Sequence, residues 1–263
     1  MNTDRSIRTL LRTPLAATAA AALLIGGASA AGASEWKWNV TPYIWATDVA
    51  VDLSLDDRRV VDKEIEFADL IEDVDYAAQV HLEAQRGKHG VMFDLFDVAL
   101  SEPFRRVTLP DGAGDVLISP EAGMTILELG GVWNPRGDGQ GFSLLYGTRI
   151  FNERASLEVL PPVAGASSST FETDETLVDG LLGVRYAGRF SPRWSWIVRA
   201  DASTGGTELT WSGGAALGWS FGADRRYQLI AGYRRMDVDF DSTEPVSAEM
   251  SLSGFATGLR VSF

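Results

Sequence analysis

Phe255-Ala256-Thr257-Gly258-Leu259-Arg260-Val261-Ser262-Phe263 ends the sequence, and its alternation decides the fold. Counted back in twos, Phe263, Val261, Leu259, Thr257 and Phe255 share one face of a strand, and Ser262, Arg260, Gly258 and Ala256 share the other. Side chains alternate with a period of two along a strand, so one face suits lipid and the other water. Chain ends usually fray unless they are tied into a sheet, so an alternation carried through to a terminal aromatic implies a paired last strand.

This ending resembles the closing strand of bacterial outer-membrane β-barrel proteins. The resemblance implies that Phe255, Leu259, Val261 and Phe263 form the signal read by the barrel-assembly machinery. A shorter stretch, Thr41-Pro42-Tyr43-Ile44-Trp45, resembles the opening of proteobacterial porin-like small barrels.

The start of the sequence agrees. Arg5, Arg8 and Arg12 precede an apolar run from Leu15 to Ile25, and small residues follow with cleavage options at Ala28-Ser29-Ala30 and Ala31-Gly32-Ala33. This is the pattern of a secretory signal peptide over residues 1–33. The run is too short for a membrane-spanning helix, which needs roughly 20 apolar residues. The expected organisation is therefore a leader, 1–33, and one barrel domain, 34–263, destined for the cell outer membrane.

The full chain carries 23 Lys and Arg against 36 Asp and Glu, a net charge of −13. Loss of three Arg and one Asp with the leader takes this to about −15 by the same formal count. An acidic surface of that size repels phosphate backbones and argues against nucleic-acid binding. There is no cysteine, hence no disulfide and no thiolate chemistry. The expected partners are outer-membrane lipid and lipopolysaccharide; the oligomeric state is left open.

Between the ends, segments about ten residues long alternate apolar and polar side chains and are broken by turn chemistry. That is the signature of a transmembrane barrel. Ten strands are predicted: Trp36 to about Thr47, with Pro42 marking a weakly paired spot; Tyr76–Gln85; Val91–Ser101; Met124–Trp133; Phe142–Phe151; Leu177–Phe190; a strand from Trp194; one after Gly205-Gly206 to Phe221; Arg226 to about Phe240, with a bulge expected at Arg234-Arg235; and Glu249–Phe263. The connections after the even-numbered strands are short and basic and those after most odd-numbered strands are long and acidic, which puts both termini on the periplasmic side. Residues 48–75 are ambiguous, with Val60–Phe67 readable as a further strand and Ala68–Val74 as a helical turn. Eight and twelve strands therefore stay open, and so does a soluble β-sandwich.

The inward faces would carry Lys37, His81, Glu83, Asp94, Glu128, Arg149, Asp179, Arg185, Arg199, Asp201, Arg234 and Arg260. In a narrow barrel such groups fill the lumen as a mutually neutralising network. The small inner face Thr210, Ser212, Gly214, Ala216, Gly218 and Ser220 is where free space for a narrow channel would lie. The competing class is a lipid-modifying hydrolase or acyltransferase built on a His81, Glu83 and Asp94 cluster, with Asp94 nearly opposite Glu83; no nucleophile motif accompanies it. The acidic loop Asp48 to Asp75, with Asp56, Asp57 and Asp62 among its carboxylates, offers oxygen ligands but matches no ordered calcium loop. Neither a cofactor nor a metal is expected.

Overall fold

A computed structural model describes residues 36–55, 58–101, 104–108, 115–160, 168–240 and 246–263. The leader predicted at 1–33 lies outside the described residues, as do Asp56 and Asp57 and the side chain of Asp62. The strands are β1 (Lys37–Leu55), β2 (Arg58–Ile65), β3 (Val74–Arg86), β4 (His89–Ser101), β5 (Arg105–Thr108), β6 (Asp115–Trp133), β7 (Gly141–Leu160), β8 (Ser169–Arg189), β9 (Trp194–Gly205), β10 (Thr207–Phe221), β11 (Tyr227–Phe240) and β12 (Val246–Ser262). A helical turn α1 (Phe67–Leu70) and a 3-10 turn (Ile71–Asp73) lead from β2 into β3.

Ten of these strands, all but β2 and β5, form a closed antiparallel up-and-down barrel. β12 returns to pair with β1 from Asn39↔Ser262 to Leu55↔Val246. Trp38 and Phe263 then exchange backbone hydrogen bonds, the Trp38 N–H reaching the Phe263 carbonyl at 3.2 Å and the reverse bond at 2.9 Å. Closure satisfies both edges, so the sandwich alternative is excluded.

The ambiguous stretch 48–75 resolves without adding a stave. β2 lies on the loop-end half of β1, from Val49↔Ile65 to Leu55↔Arg58, while β3 holds the turn-end half, from Lys37↔Gln85 to Pro42↔Val80. β5 pairs β6 in the same accessory way. Several strands are longer than predicted: β1 runs to Leu55 and β6 begins at Asp115. The alternation read from sequence stops where outward residues turn polar, but backbone pairing continues beyond that point. The bulge expected at Arg234-Arg235 is absent, because β11 keeps one register against β12 from Tyr227 to Asp239 and places Arg234 inward and Arg235 outward. Asp94 faces His81 rather than Glu83, since the β3–β4 register pairs His81↔Asp94 and Glu83↔Met92.

The outer surface is an apolar belt: Ile44, Val91, Leu129, Val178, Leu182, Val184, Leu209, Leu217, Leu229 and Phe255 are all exposed. In water such a surface would be a strong liability; against hydrocarbon it is what a spanning barrel needs. Aromatics ring its turn end, where Phe190 stacks on Trp194, and Phe221 on both Trp219 and Tyr227. At the loop end the outward residues become polar, with Thr125 donating to Asp97 at 2.7 Å and Arg154 lying 3.8 Å from the same carboxylate.

Short turns set this polarity. Gly87 takes φ +58, which only glycine adopts freely, in the tight β3–β4 turn. In the β6–β7 turn the buried Asn134 amide donates to the Gln140 and Phe142 carbonyls, both at 2.9 Å, and its oxygen accepts from the Gly137 N–H at 2.7 Å. In the same turn the Gln140 N–H and the Arg136 side chain hold the Asp138 carboxyl below its usual range.

Candidate functional site

The lumen is organised by one hydrogen-bonding row. Along β1, β3, β4, β6, β7 and β8 the register places Thr41, His81, Asp94, Glu128, Arg149 and Asp179 in line. Two residues toward the loop end, the same strands β4, β6, β7 and β8 give the apolar row Phe96, Ile126, Phe151 and Leu177. Two residues toward the turn end they give Met92, Gly130, Gly147 and Leu181. A charged layer is therefore clamped between apolar ones on this wall, which lowers the local dielectric and raises the cost of leaving any charge unpaired.

Arg149 is fully buried at the middle of the row. Its guanidinium donates to Glu128 through Nε at 3.1 Å and Nη2 at 2.7 Å, to Ser203 Oγ at 3.1 Å, and to Asp201. Glu128 also receives Arg199 Nη2 at 2.7 Å and Arg234 Nη2 at 3.2 Å, both reaching across the lumen from β9 and β11. Arg199 Nε binds Asp201 at 2.7 Å. Arg185 of β8 spans the barrel to Glu83 of β3, with Nη2 2.9 Å from Oε1. Four arginines (149, 185, 199 and 234) thus meet four carboxylates (Glu83, Asp94, Glu128 and Asp201), so the layer is close to neutral.

Other predicted members have different roles. Among the described residues Asp179 pairs with no arginine; it holds the β9–β10 hairpin, accepting from the Gly206 and Thr207 N–H groups at 2.9 Å and from Ser203 Oγ at 2.9 Å. Arg260 donates to Gln228 Oε1 at 3.2 Å and has no carboxylate partner among the described residues. Lys37 stands exposed at the turn-end mouth. Sequence reasoning missed Tyr43, whose hydroxyl donates to Asp94 at 2.8 Å, and Trp45, whose ring carries Arg234 at 4.7 Å. Their inward parity on the first strand was the available signal.

The His81 cluster does assemble, with Nδ1 2.8 Å from Asp94 Oδ2 and Nε2 3.6 Å from Glu83 Oε2. Both ring nitrogens thus face carboxylates. Among the described residues no Ser or Thr hydroxyl bonds to the ring, so no base–nucleophile pair exists there and the geometry does not favour the lipid-modifying alternative. Among the described residues no group of His, Cys, Asp and Glu is arranged to hold a metal.

Free space lies where the inner faces are small. A cavity of about 200 Å³ lies along Ser212, Gly214 and Ala216 of β10, Gly232 of β11 and Gly258 of β12. A polar cavity of about 500 Å³ occupies the turn-end lumen and shares His81, Arg185, Ala216 and Arg260 with it. Toward the loop end Trp45, Phe96, Phe151, Met236, Met250 and Leu252, all buried, pack together in the lumen, and a further cavity of about 630 Å³ lies beside them against β1, β3, β4 and β6.

A closed barrel with an apolar outer belt, an aromatic rim and a charged, filled interior defines the class: an integral membrane β-barrel of the outer-membrane type. No family model and no curated protein matches the sequence. Among solved structures the chain is similar in fold to three outer-membrane proteins. The attachment invasion locus protein Ail of Yersinia pestis, in complex with the heparin analogue sucrose octasulfate, is 10% identical, with 86% of this chain and 97% of that one covered at a TM-score of 0.34. The outer membrane protease OmpT of Escherichia coli is 8% identical, covering 89% and 99% at 0.44. The toluene transporter TodX of Pseudomonas putida is 8% identical, covering 88% and 90% at 0.30.

Proposed function

We propose that the protein is an integral outer-membrane β-barrel of a Gram-negative bacterium, exported by its leader, with a structural or passive role and a lumen closed to solutes at mid-height. The observation that carries this reading is the layer in which Arg149, Arg199 and Arg234 converge on Glu128 from β7, β9 and β11. The packed apolar layer above it supports the same conclusion, because a solute would have to displace both. The barrel-assembly machinery is the expected partner during insertion, through the Phe255–Phe263 strand. The experiment is reconstitution of purified protein into planar bilayers. Wild-type protein is expected to show no discrete conductance, and Trp45→Ala combined with Arg199→Ala is expected to produce one. Steady unitary conductance from the wild type would replace this reading with that of a narrow channel beside β10.

A further inference from the structure

The barrel wall is not hydrogen-bonded throughout. The β1–β3 ladder ends at Pro42↔Val80 and the β1–β2 ladder begins at Val49↔Ile65, while β1 stays paired with β12 across the same interval. Tyr43 to Asp48 therefore form an open seam toward β3, six residues or roughly 20 Å along the strand at about 3.3 Å per residue. β3 is likewise paired only with β4 from Val74 to Gln79.

Backbone groups inside a membrane must be satisfied by the protein. Here a side chain of β3 stands in for part of the missing ladder, Gln79 Oε1 accepting the Trp45 N–H at 2.6 Å, and at the upper end Asp48 Oδ1 accepts the Phe67 N–H of α1 at 2.8 Å. The seam is thus a built feature of the sequence rather than a lapse in pairing. Its lower end falls within the apolar belt, at Ile44, which points outward and is 61% exposed.

Behind the seam lies a cavity of about 630 Å³. It is lined both by outward or exposed residues, Ile44 and Ile71, and by lumen residues such as Trp45, Phe96, Val98 and Met124. A cavity with both kinds of lining passes through the wall. Its size is that of ligand sites in general, about 300–1,000 Å³, and its lining is mostly apolar.

Among the described residues, two buried polar atoms of the lining have no hydrogen-bond partner, Trp45 Nε1 as donor and Glu153 Oε1 as acceptor. A pure hydrocarbon would leave both so, at a desolvation cost; an occupant with a carbonyl at its polar end accepts from the Trp45 indole N–H and relieves that one, while Glu153 needs a donor that a carbonyl lacks. Glu153 and Glu175 face each other across β7 and β8 and both line the cavity, which disfavours a free carboxylate ligand.

The geometry points to a lateral lipid site: an ester-linked acyl chain of the surrounding membrane enters through the β1–β3 seam and lies in the loop-end cavity. This rests on the membrane-spanning reading above. The test places the full barrel in nanodiscs containing phosphatidylcholine with a photoactivatable diazirine on its acyl chain, followed by mapping of the crosslinked residues. Crosslinks are expected on lumen residues Phe96, Val98 and Met124 as well as on belt residues Leu129 and Leu182. Ala122→Phe, or Ala77→Phe should the first variant fail to fold, narrows the cavity and is expected to cut lumen labelling by about tenfold while belt labelling holds. Labelling of the belt without the lumen overturns the lateral site and leaves the membrane reading intact; absence of belt labelling overturns both. Equal lumen labelling by a diazirine fatty acid presented as the free anion would overturn the ester assignment.

Discussion

Two walls of the same lumen solve the problem of an enclosed interior in opposite ways. On β4, β6, β7 and β8 the inward rows around mid-height run apolar, charged, apolar, with glycines only at Gly130 and Gly147, so the wall is packed there and Arg149 is fully covered. On β10, β11 and β12 the inward residues include Gly214, Ala216, Gly218, Gly232, Ala256 and Gly258, and the free volume at and below the charged layer collects against them, whereas the loop-end cavity lies on the other side. Both walls carry inward arginines; Arg234 of β11 reaches across to carboxylates of the packed wall, and Arg149 and Arg260 mark the extremes. Arg149 is held by two carboxylates and a serine, whereas Arg260 has one amide oxygen. The same residue type at the same inward parity thus has a different energetic role on each wall, and burial with pairing, not charge alone, decides which.

The largest effect should come from the packed wall. Arg149→Met removes the donor shared by Glu128 and Asp201 inside a layer with little room for water. Breaking a buried pair from one side costs about 3–5 kcal/mol, and because Arg199 still serves both carboxylates the loss should fall near 3 kcal/mol. Urea unfolding in phospholipid vesicles, followed by tryptophan fluorescence, measures it. A change below about 1 kcal/mol, the range of exposed ion pairs, would mean that the layer is hydrated and the contrast between the walls is wrong.

A smaller effect is expected from adding volume on the open wall. Overpacking a filled core costs about 1–3 kcal/mol, but Ala216 borders both cavities beside β10, so Ala216→Leu should cost less than about 1 kcal/mol in the same assay. A larger loss would show that the space beside β10 closes in the folded protein.

Much of this contrast was legible in the sequence. Period-two alternation identified the barrel, the ten staves and the inward set, because in a closed sheet parity alone sorts lipid from lumen. The uniformly small face from Thr210 to Ser220 located the free space at and below the charged layer but not the larger loop-end cavity. What parity cannot supply is register, which depends on how each turn is built. Asp94 was set opposite Glu83, although the two-residue Gly87-Lys88 turn pairs it with His81. Asp179 was counted as a lumen charge, but the Gly205-Gly206 hairpin brings backbone N–H groups onto its carboxylate. The seam was foreshadowed only by Pro42 and by the ambiguity of residues 48–75, since a missing ladder is a property of three strands together and no single one announces it.

Arg260 offers the finest test of the comparison. It belongs to the closing strand whose alternation first indicated a barrel, and parity alone would make it as important as Arg149. Its surroundings argue otherwise: among the described residues no carboxylate lies within 4.0 Å, its Nε has no partner, and it lines both cavities beside β10. A cation held this way gains little from the fold and carries some desolvation cost, so replacing it removes an unfavourable term along with one hydrogen bond worth about 0.5–1.5 kcal/mol. The two contributions should nearly cancel, leaving Arg260→Met within about 0.5 kcal/mol of wild type, as for substitutions away from any packed feature. Measured beside Arg149→Met in the same vesicles, a loss above about 2 kcal/mol would mean that Arg260 is paired in the membrane, and the distinction between the walls would then have to rest on volume alone.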